Sequence, residues 1–502
     1  MMPLQALAVT ETTPGGALLV LGIVMTAVAL VGLIGLGGRG ARAIVIAALL
    51  FQLYVSVRVA LMVAGTQSPL AYVVGGFHPP LGITLRADGI SALMMVVSAA
   101  IFLGAAAFAW KDFAQPKGKP ESRASLIFWT ALLAMASALN LLFTSSDLFN
   151  LYVGIELLTF AAIPVAAIKG GADTLRAALR YLLFAVFGSM LYLFGIVLLY
   201  GAYGTLDISG LAAQLQPNAA TLTAAGFVTV GLLAKTALFP FHLWLPPAHA
   251  GAPAAGSAVL SALVVKGSLF LLMRLWFDTF PTLREPADMQ LLALFGALAV
   301  IVGSITALRQ QRLKLLVAYS TVAQIGYMFF VFTLAPKDAG ALIAETAWTG
   351  AWTQVVAHAF AKAGMFLAAG LAAEVLGHDR IRDLGGLSSR APLVVLAFAL
   401  SGLSLMGLPP SGGFNAKFML LVAALAEGHW AWGAVIIAGG MLAGAYVFGV
   451  LARMMAEPAA GASLKAVGHG RQWIALGLSA VAVLMGLLPL EPIAFLAIGR
   501  AL

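Results

Sequence analysis

Five ionisable side chains interrupt long apolar stretches of this 502-residue chain, and their types suggest proton transfer. Glu156 stands in LFNLYVGIELLTFAAIPVAA, the one acidic residue deep inside an apolar run; the other carboxylates fall in loops or near run ends. Lys235, Lys266, Lys362 and Lys417 are similarly placed. A charge at the centre of a bilayer costs roughly 3 kcal/mol on insertion scales, so intramembrane charges are kept where they have a use. Burial favours the neutral form of a carboxylate or an amine, and a nearby opposite charge favours the ionised form. Groups balanced between those two influences can take up and release protons near neutral pH. His358 and Lys362 stand four apart in TQVVAHAFAKAGMFL, with Gln354 four before them, so the three share one helix face. Such a stripe must face protein or water, and imidazole can hand a proton along.

Each position also has a plainer reading. Glu156 and Lys266 could be halves of structural ion pairs, Lys235 a snorkelling amine, Lys417 an interfacial residue, and the Gln354–His358–Lys362 stripe a hydrogen-bonded seam between helices. Their number and depth together favour a relay. Other candidates carry less. Arg58, in YVSVRVALMV, could be a gate or equally a lipid or helix-pair contact; Asp147, in TSSDLFN, reads as a helix N-cap; His78, in GGFHPP, as a loop residue. His242 and His249 flank a proline-rich break and could line a cavity mouth, but no metal-ligand spacing surrounds them. Cysteine is absent, which excludes disulfides, iron–sulfur clusters and thiolate metal sites. There is no phosphate-binding glycine loop with its lysine, no dinucleotide fingerprint and no helical histidine pair suited to haem. No cofactor and no enzymatic chemistry are expected, so the energy must come from an ion gradient or a partner subunit.

The elements that hold these residues are membrane helices. Hydrophobic residues make up 62% of the chain and charged residues 9%, with a mean hydropathy of +1.01; a soluble domain carries about 25% charged residues. About fourteen runs are long enough to span, near 17–37, 42–64, 88–110, 124–143, 147–168, 178–203, 221–245, 253–276, 289–308, 312–334, 344–375, 391–425, 430–455 and 472–499. The first lacks a basic leader and reads as a retained helix. The stretch 205–216 is short and amphipathic and is expected along an interface. Of the 28 basic residues, eighteen fall in odd-numbered loops (among them Arg39, Lys117, Lys119 and Lys314) and three in even-numbered ones (Arg86, Arg284 and Lys337). By the positive-inside rule the odd loops are cytoplasmic and both termini lie on the other side. The net charge of +9 is thus a topology signal, not a nucleic-acid one.

Three spans are expected to be broken. The seventh holds Pro240, Pro246 and Pro247; the eleventh is longer than one crossing needs; the twelfth holds GLPPSGGF. Broken helices survive in a bilayer only beside protein or a watery path. AKTALFPFHLWLPP and SGLSLMGLPPSGGFNAKF are faintly alike and five spans apart, as two copies of an inverted repeat would be.

The stretches SSDLFNLYVGIELLTF, KTALFPFHLWLPPAHAGAPAAGSAVLSALVVKG, LRQQRLKLLVAYSTVAQIGYM, AHAFAKAGMFLAAG and GLPPSGGFNAKF resemble the antiporter-like subunits shared by Mrp-type cation/proton antiporters, respiratory complex I and membrane-bound hydrogenases. The resemblance covers roughly 70–500. It implies an all-α polytopic fold of about fourteen helices with two inverted five-helix repeats and discontinuous helices. It divides the chain into helices 1–3 (1–120), a first repeat (121–280), a second (281–456) and a C-terminal loop and helix (457–502). It implies a coupled Glu156–Lys235 pair, then Lys266, His358 and Lys362, and Lys417 as the terminal group. Many complex I homologues have histidine where this chain has Gln324, which puts a continuous histidine chain in doubt. That position and GGFHPPLGITLRADGISALM are more similar to D-type Mrp subunits. The function so implied is proton translocation in a multisubunit Na+/H+ antiporter of the bacterial cytoplasmic membrane, beside other membrane subunits. The alternatives are a pumping subunit of a redox complex and a transport-inactive scaffold.

Overall fold

A computed structural model describes residues 11–36, 40–113, 121–336, 340–458 and 464–500. Arg39, Lys117, Lys119 and Lys337, used in the loop count, lie outside them. In chain order the helices are α1 (Ala17–Gly35), α2 (Ala41–Thr66), α3 (Gly89–Asp112), α4 (Arg123–Thr144), α5 (Leu148–Ala167), α6 (Ala172–Tyr203), α7 (Ile208–Gln214), α8 (Ala219–Thr236), α9 (Leu245–Gly251), α10 (Ala254–Val259) and α11 (Val265–Arg274). They continue as α12 (Pro286–Leu308), α13 (Leu313–Met328), α14 (Val331–Leu334), α15 (Ala341–Leu376), α16 (Leu387–Arg390), α17 (Pro392–Met406), α18 (Gly412–Ala426), α19 (Trp430–Met455) and α20 (His469–Leu484). Among the described residues, 13 helical stretches are long and apolar enough to cross a membrane. The expected twelfth crossing is instead two fifteen-residue helices, α17 and α18, on either side of the Leu-Pro-Pro-Ser break.

Two of the three expected breaks are present. α8 stops at Thr236 and resumes, after a 3₁₀ turn at Phe241–Trp244, as α9. The third is not: α15 is one uninterrupted helix of 36 residues. It holds no proline, and its glycines serve packing, since a Cβ on Gly364 or Gly370 would collide with Ser479 or Ala254. The last apolar run does not stay helical to 499. α20 and a 3₁₀ turn end at Leu487, just before Pro489 and Pro492, and the chain goes on through bends and a further 3₁₀ turn at Ala494–Ala497. The eighth span, read as plain helix, contains two π segments, Leu260–Val264 and Leu275–Thr279. One small sheet was not expected: β1 (Leu70–Val73) pairs antiparallel with β2 (Thr84–Ala87).

Helix starts follow short polar side chains. Asp88, Ser122, Asp147, Asp207, Asn218 and Ser411 each accept a backbone N–H in the first turn of the helix that follows; α7, in the amphipathic stretch, buries Ile208, Leu211 and Ala212. Burial is graded across the bundle. In their most apolar 18-residue windows, 94% of residues are buried in Ala254–Thr279 and in α15, against 22% in α1 and in the last crossing. The buried lysines sit on or beside the enclosed elements.

Candidate functional site

Glu156 lies on α5 and Lys235 one residue before the end of α8. Lys235 Nζ donates to Glu156 Oε1 at 2.9 Å and to Thr159 Oγ1 at 3.0 Å. Ser189 of α6 donates to the same carboxylate oxygen. α6 and α8 come this close because two glycines face each other: a Cβ on Gly231 would stand 2.4 Å from the Gly188 carbonyl oxygen, and one on Gly188 would stand 3.2 Å from Lys235 Cγ. α8 ends at once, with Ala237 in the left-handed region at φ 57°, which costs a non-glycine residue roughly 1–2 kcal/mol. Thr236 then donates across to Ser268 of α11 at 3.0 Å. Glu156 keeps 19% of its side chain exposed, on the face of α5 that also exposes Phe149 and Phe160.

Lys266 follows the first π segment. A π turn disturbs the regular helix ladder, and here Lys266 Nζ donates to the Ser261 carbonyl at 2.5 Å. Ser261 Oγ pairs with Thr321 Oγ1 at 2.8 Å. Thr321 donates to the Val317 carbonyl at 3.2 Å. Lys362 Nζ of α15 donates to that same carbonyl at 2.9 Å and to Ser320 Oγ. One turn along α13, Gln324 accepts from Gln354 at 2.9 Å and donates to the Leu405 carbonyl at 3.0 Å. Leu405 lies in the last turn of α17, where carbonyls lack partners within the helix. Lys417 Nζ shares that carbonyl at 2.6 Å and stands 4.3 Å from the centroid of the Tyr327 ring. His358, between Gln354 and Lys362, is buried with both ring nitrogens unpartnered among the described residues.

The hydrogen bonds gather these residues into three separate sets: Glu156 with Lys235; Lys266 and Lys362 through Ser261, Thr321 and the Val317 carbonyl; and Lys417 with Gln324 and Gln354 through the Leu405 carbonyl. His358 lies between Gln354 and Lys362 on α15 without a hydrogen bond among the described residues. His242 and His249 are enclosed instead of lining a mouth. His242 packs against Phe239 and Tyr319, and His249 stacks on Phe366 with centroids 4.7 Å apart. Ala250, the next residue, lines a polar cleft with Asp112, Lys169, Lys314, Glu374 and Asp379. Lys314, counted above as a loop charge, is buried and donates to the Ala252 carbonyl at 2.9 Å, beyond the end of α9. Arg58 is exposed on α2, away from the chain. Asp147 caps α5, donating nothing to the site.

A second charged cluster was missed. Arg274 binds Asp88 with both guanidinium ends, at 2.5 and 3.1 Å, and Asp278 at 3.0 Å; Arg86 reaches Asp88 at 3.2 Å. Burial opposes ionisation of Asp88, yet Arg274 and Arg86 overcome it and hold the carboxyl down at about 2. The Arg274-x-x-x-Asp278 spacing was the available signal. Among the described residues, no group of three His, Cys, Asp or Glu could hold a metal ion.

The model of the family described as "NADH:quinone oxidoreductase/Mrp antiporter, TM" matches residues 145–443. Among curated proteins, the N-type subunit of the NADH-quinone oxidoreductase of Desulforudis audaxviator is 36% identical over 76% of this chain and 75% of its own length. The D-type subunit of the Na(+)/H(+) antiporter of Alkalihalophilus pseudofirmus is 29% identical over 74% of this chain and 72% of its own. Among solved structures, a chain of the Mrp complex from Dietzia sp. DQ12-45-1b superposes with a TM-score of 0.83 at 25% identity, covering 94% of both chains.

Proposed function

The chain belongs to the NADH:quinone oxidoreductase/Mrp antiporter membrane family, and from that premise we propose that it is a proton-translocating membrane subunit of a multisubunit Na+/H+ antiporter. The observation that carries this is the Glu156–Lys235 ion pair between membrane helices, with Lys266, Lys362 and Lys417 buried and hydrogen-bonded beyond it. Protons reach the Glu156–Lys235 pair, pass Lys266 and the Ser261–Thr321 hydroxyls, move by Lys362 and His358, and leave by Lys417. Protonation of Glu156 would remove the charge that holds Lys235 ionised, freeing its proton toward Ser268 and Lys266. Partners are other membrane subunits of the bacterial cytoplasmic membrane, with both termini on the non-cytoplasmic side. Residues 121–280 and 281–456 act as the two inverted repeats, each holding one broken helix.

A second reading, a pumping subunit of a redox complex, is favoured by the higher identity to an N-type oxidoreductase subunit (36%) than to a D-type antiporter subunit (29%). Its internal chemistry is the same and only the driver differs. Three measurements test these proposals. Proteins that co-purify with the chain separate them: small antiporter subunits support the first, iron–sulfur and quinone-binding subunits the second. In inside-out vesicles Glu156→Gln should abolish driven proton movement with assembly intact; retained transport removes Glu156 from the mechanism. Full activity after replacing Lys235, Lys266, Lys362 and Lys417 together by Met would establish the scaffold role instead.

A further inference from the structure

Between the hydrogen bonds of Lys362 and those of Lys417 lies a gap that Gln324 cannot carry a proton across. Lys362 donates to Ser320, and Lys417 and Gln324 share the Leu405 carbonyl. A carboxamide hydrogen-bonds at both ends, but it does not take up a proton on one atom and release another as a hydroxyl or imidazole does. One further side chain reaches this place, from α19. Tyr446 is 2% exposed. Its hydroxyl lies beside Ser320 and Gln324 without the geometry of a hydrogen bond to either. α19 also packs on Tyr327, whose hydroxyl a Cβ on Gly439 would meet and whose ring lies under the Lys417 ammonium.

The rest of α19 gives this oxygen no structural reason. Only 33% of the helix is buried, and its other buried residues are Gly433, Ile436, Gly439, Ala443, Val447, Val450 and Met454, all apolar. A buried hydroxyl without a partner is destabilising, and phenylalanine would fill the same space without that cost. The oxygen is therefore not explained by packing, and it stands between the hydrogen-bonded set of Lys362 and that of Lys417.

We infer that Tyr446 is the hydroxyl through which a proton crosses from Ser320 to the Lys417 side, an inference that rests on the relay proposed above. The step conserves charge on the phenol. Its oxygen accepts a proton from Ser320 while its own O–H proton leaves toward Lys417, so one O–H bond forms as one breaks. Rotation about the C–O bond then resets the group.

The test uses the whole complex in inside-out vesicles, with the pH gradient read by a weak-base fluorophore and driven by a Na+ pulse or by NADH. Tyr446→Phe should assemble and melt at or above the wild-type temperature yet move protons about tenfold more slowly or worse. Adding Gln324→His in that background should recover most of the rate, because imidazole supplies a titratable group at the same place. A wild-type rate in Tyr446→Phe overturns the inference. So does a rate loss that Gln324→His fails to recover, or one that comes with a lower melting temperature, since either marks the hydroxyl as structural. Lys362→Met is measured alongside. If it too transports at the wild-type rate, the relay has failed and not merely the assignment of Tyr446.

Discussion

At one end of the polar chain a lysine faces a carboxylate; at the other the lysines face only carbonyls, hydroxyls and an aromatic ring. Lys235 has Glu156 at 2.9 Å. Among the described residues Lys266, Lys362 and Lys417 take part in no ion pair. Breaking a buried pair leaves an uncompensated charge, which is costly, so the first lysine is held by a partner that can itself be switched off by a proton. The others are held by dipoles, which cannot be switched off but also do not fix the charge. The first end suits a trigger, and the second suits conduction. The cluster of Arg86, Arg274, Asp88 and Asp278 supplies the third case, charges fully paired and so structural.

The contrast can be broken most sharply at Lys362. Lys362→Met should lower driven proton movement in vesicles about 100-fold, the range expected for losing a positioned proton-transfer group, with the assembled complex still present on native gels. Ser320→Asp gives the same lysine the carboxylate it lacks. It should slow transport about tenfold by pinning the ammonium, and equal or faster transport would erase the distinction between the two ends. Asp88→Asn leaves Arg274 and Arg86 short of a counter-ion and should cost roughly 3 kcal/mol of stability, read as a lower melting temperature in detergent, with little change in rate per assembled complex. The pH sign follows from its lowered carboxyl. The Asp88 contribution is complete above the ordinary carboxylate value of 3.8 and is lost as pH falls toward about 2. Arg58→Gln, on an exposed face, should leave both transport and assembly unchanged; a loss of transport would bring Arg58 into the path after all.

Much of the site was legible because charge in an apolar run is rare and each case has few explanations. Glu156, Lys235 and the Gln354–His358–Lys362 stripe were found by depth and by a four-residue period alone. What escaped depended on backbone detail or on distant partners. Leu260–Val264 reads as ordinary helix, yet its π turn precedes Lys266 and lies beside the carbonyl that holds it. Lys314 looks like one more basic residue at a helix start, and only the docking of α9 against α13 buries it. Length misled at α15, where residues beyond one crossing extend the helix instead of breaking it. Prolines 489 and 492 were visible, but the apolar residues around them outweighed them.

That unbroken helix has a mechanical meaning. At 36 residues it is about 54 Å long, well beyond a hydrocarbon core of about 30 Å, and Gln354, His358 and Lys362 stand on it like rungs about 6 Å apart. Lys266 and Lys417, on either side, belong to stretches interrupted by a π turn and by the Leu-Pro-Pro-Ser break. A stiff rail between two jointed neighbours fixes where the stroke can occur. The rungs keep their spacing, and any displacement that connected or isolated them would fall at the joints.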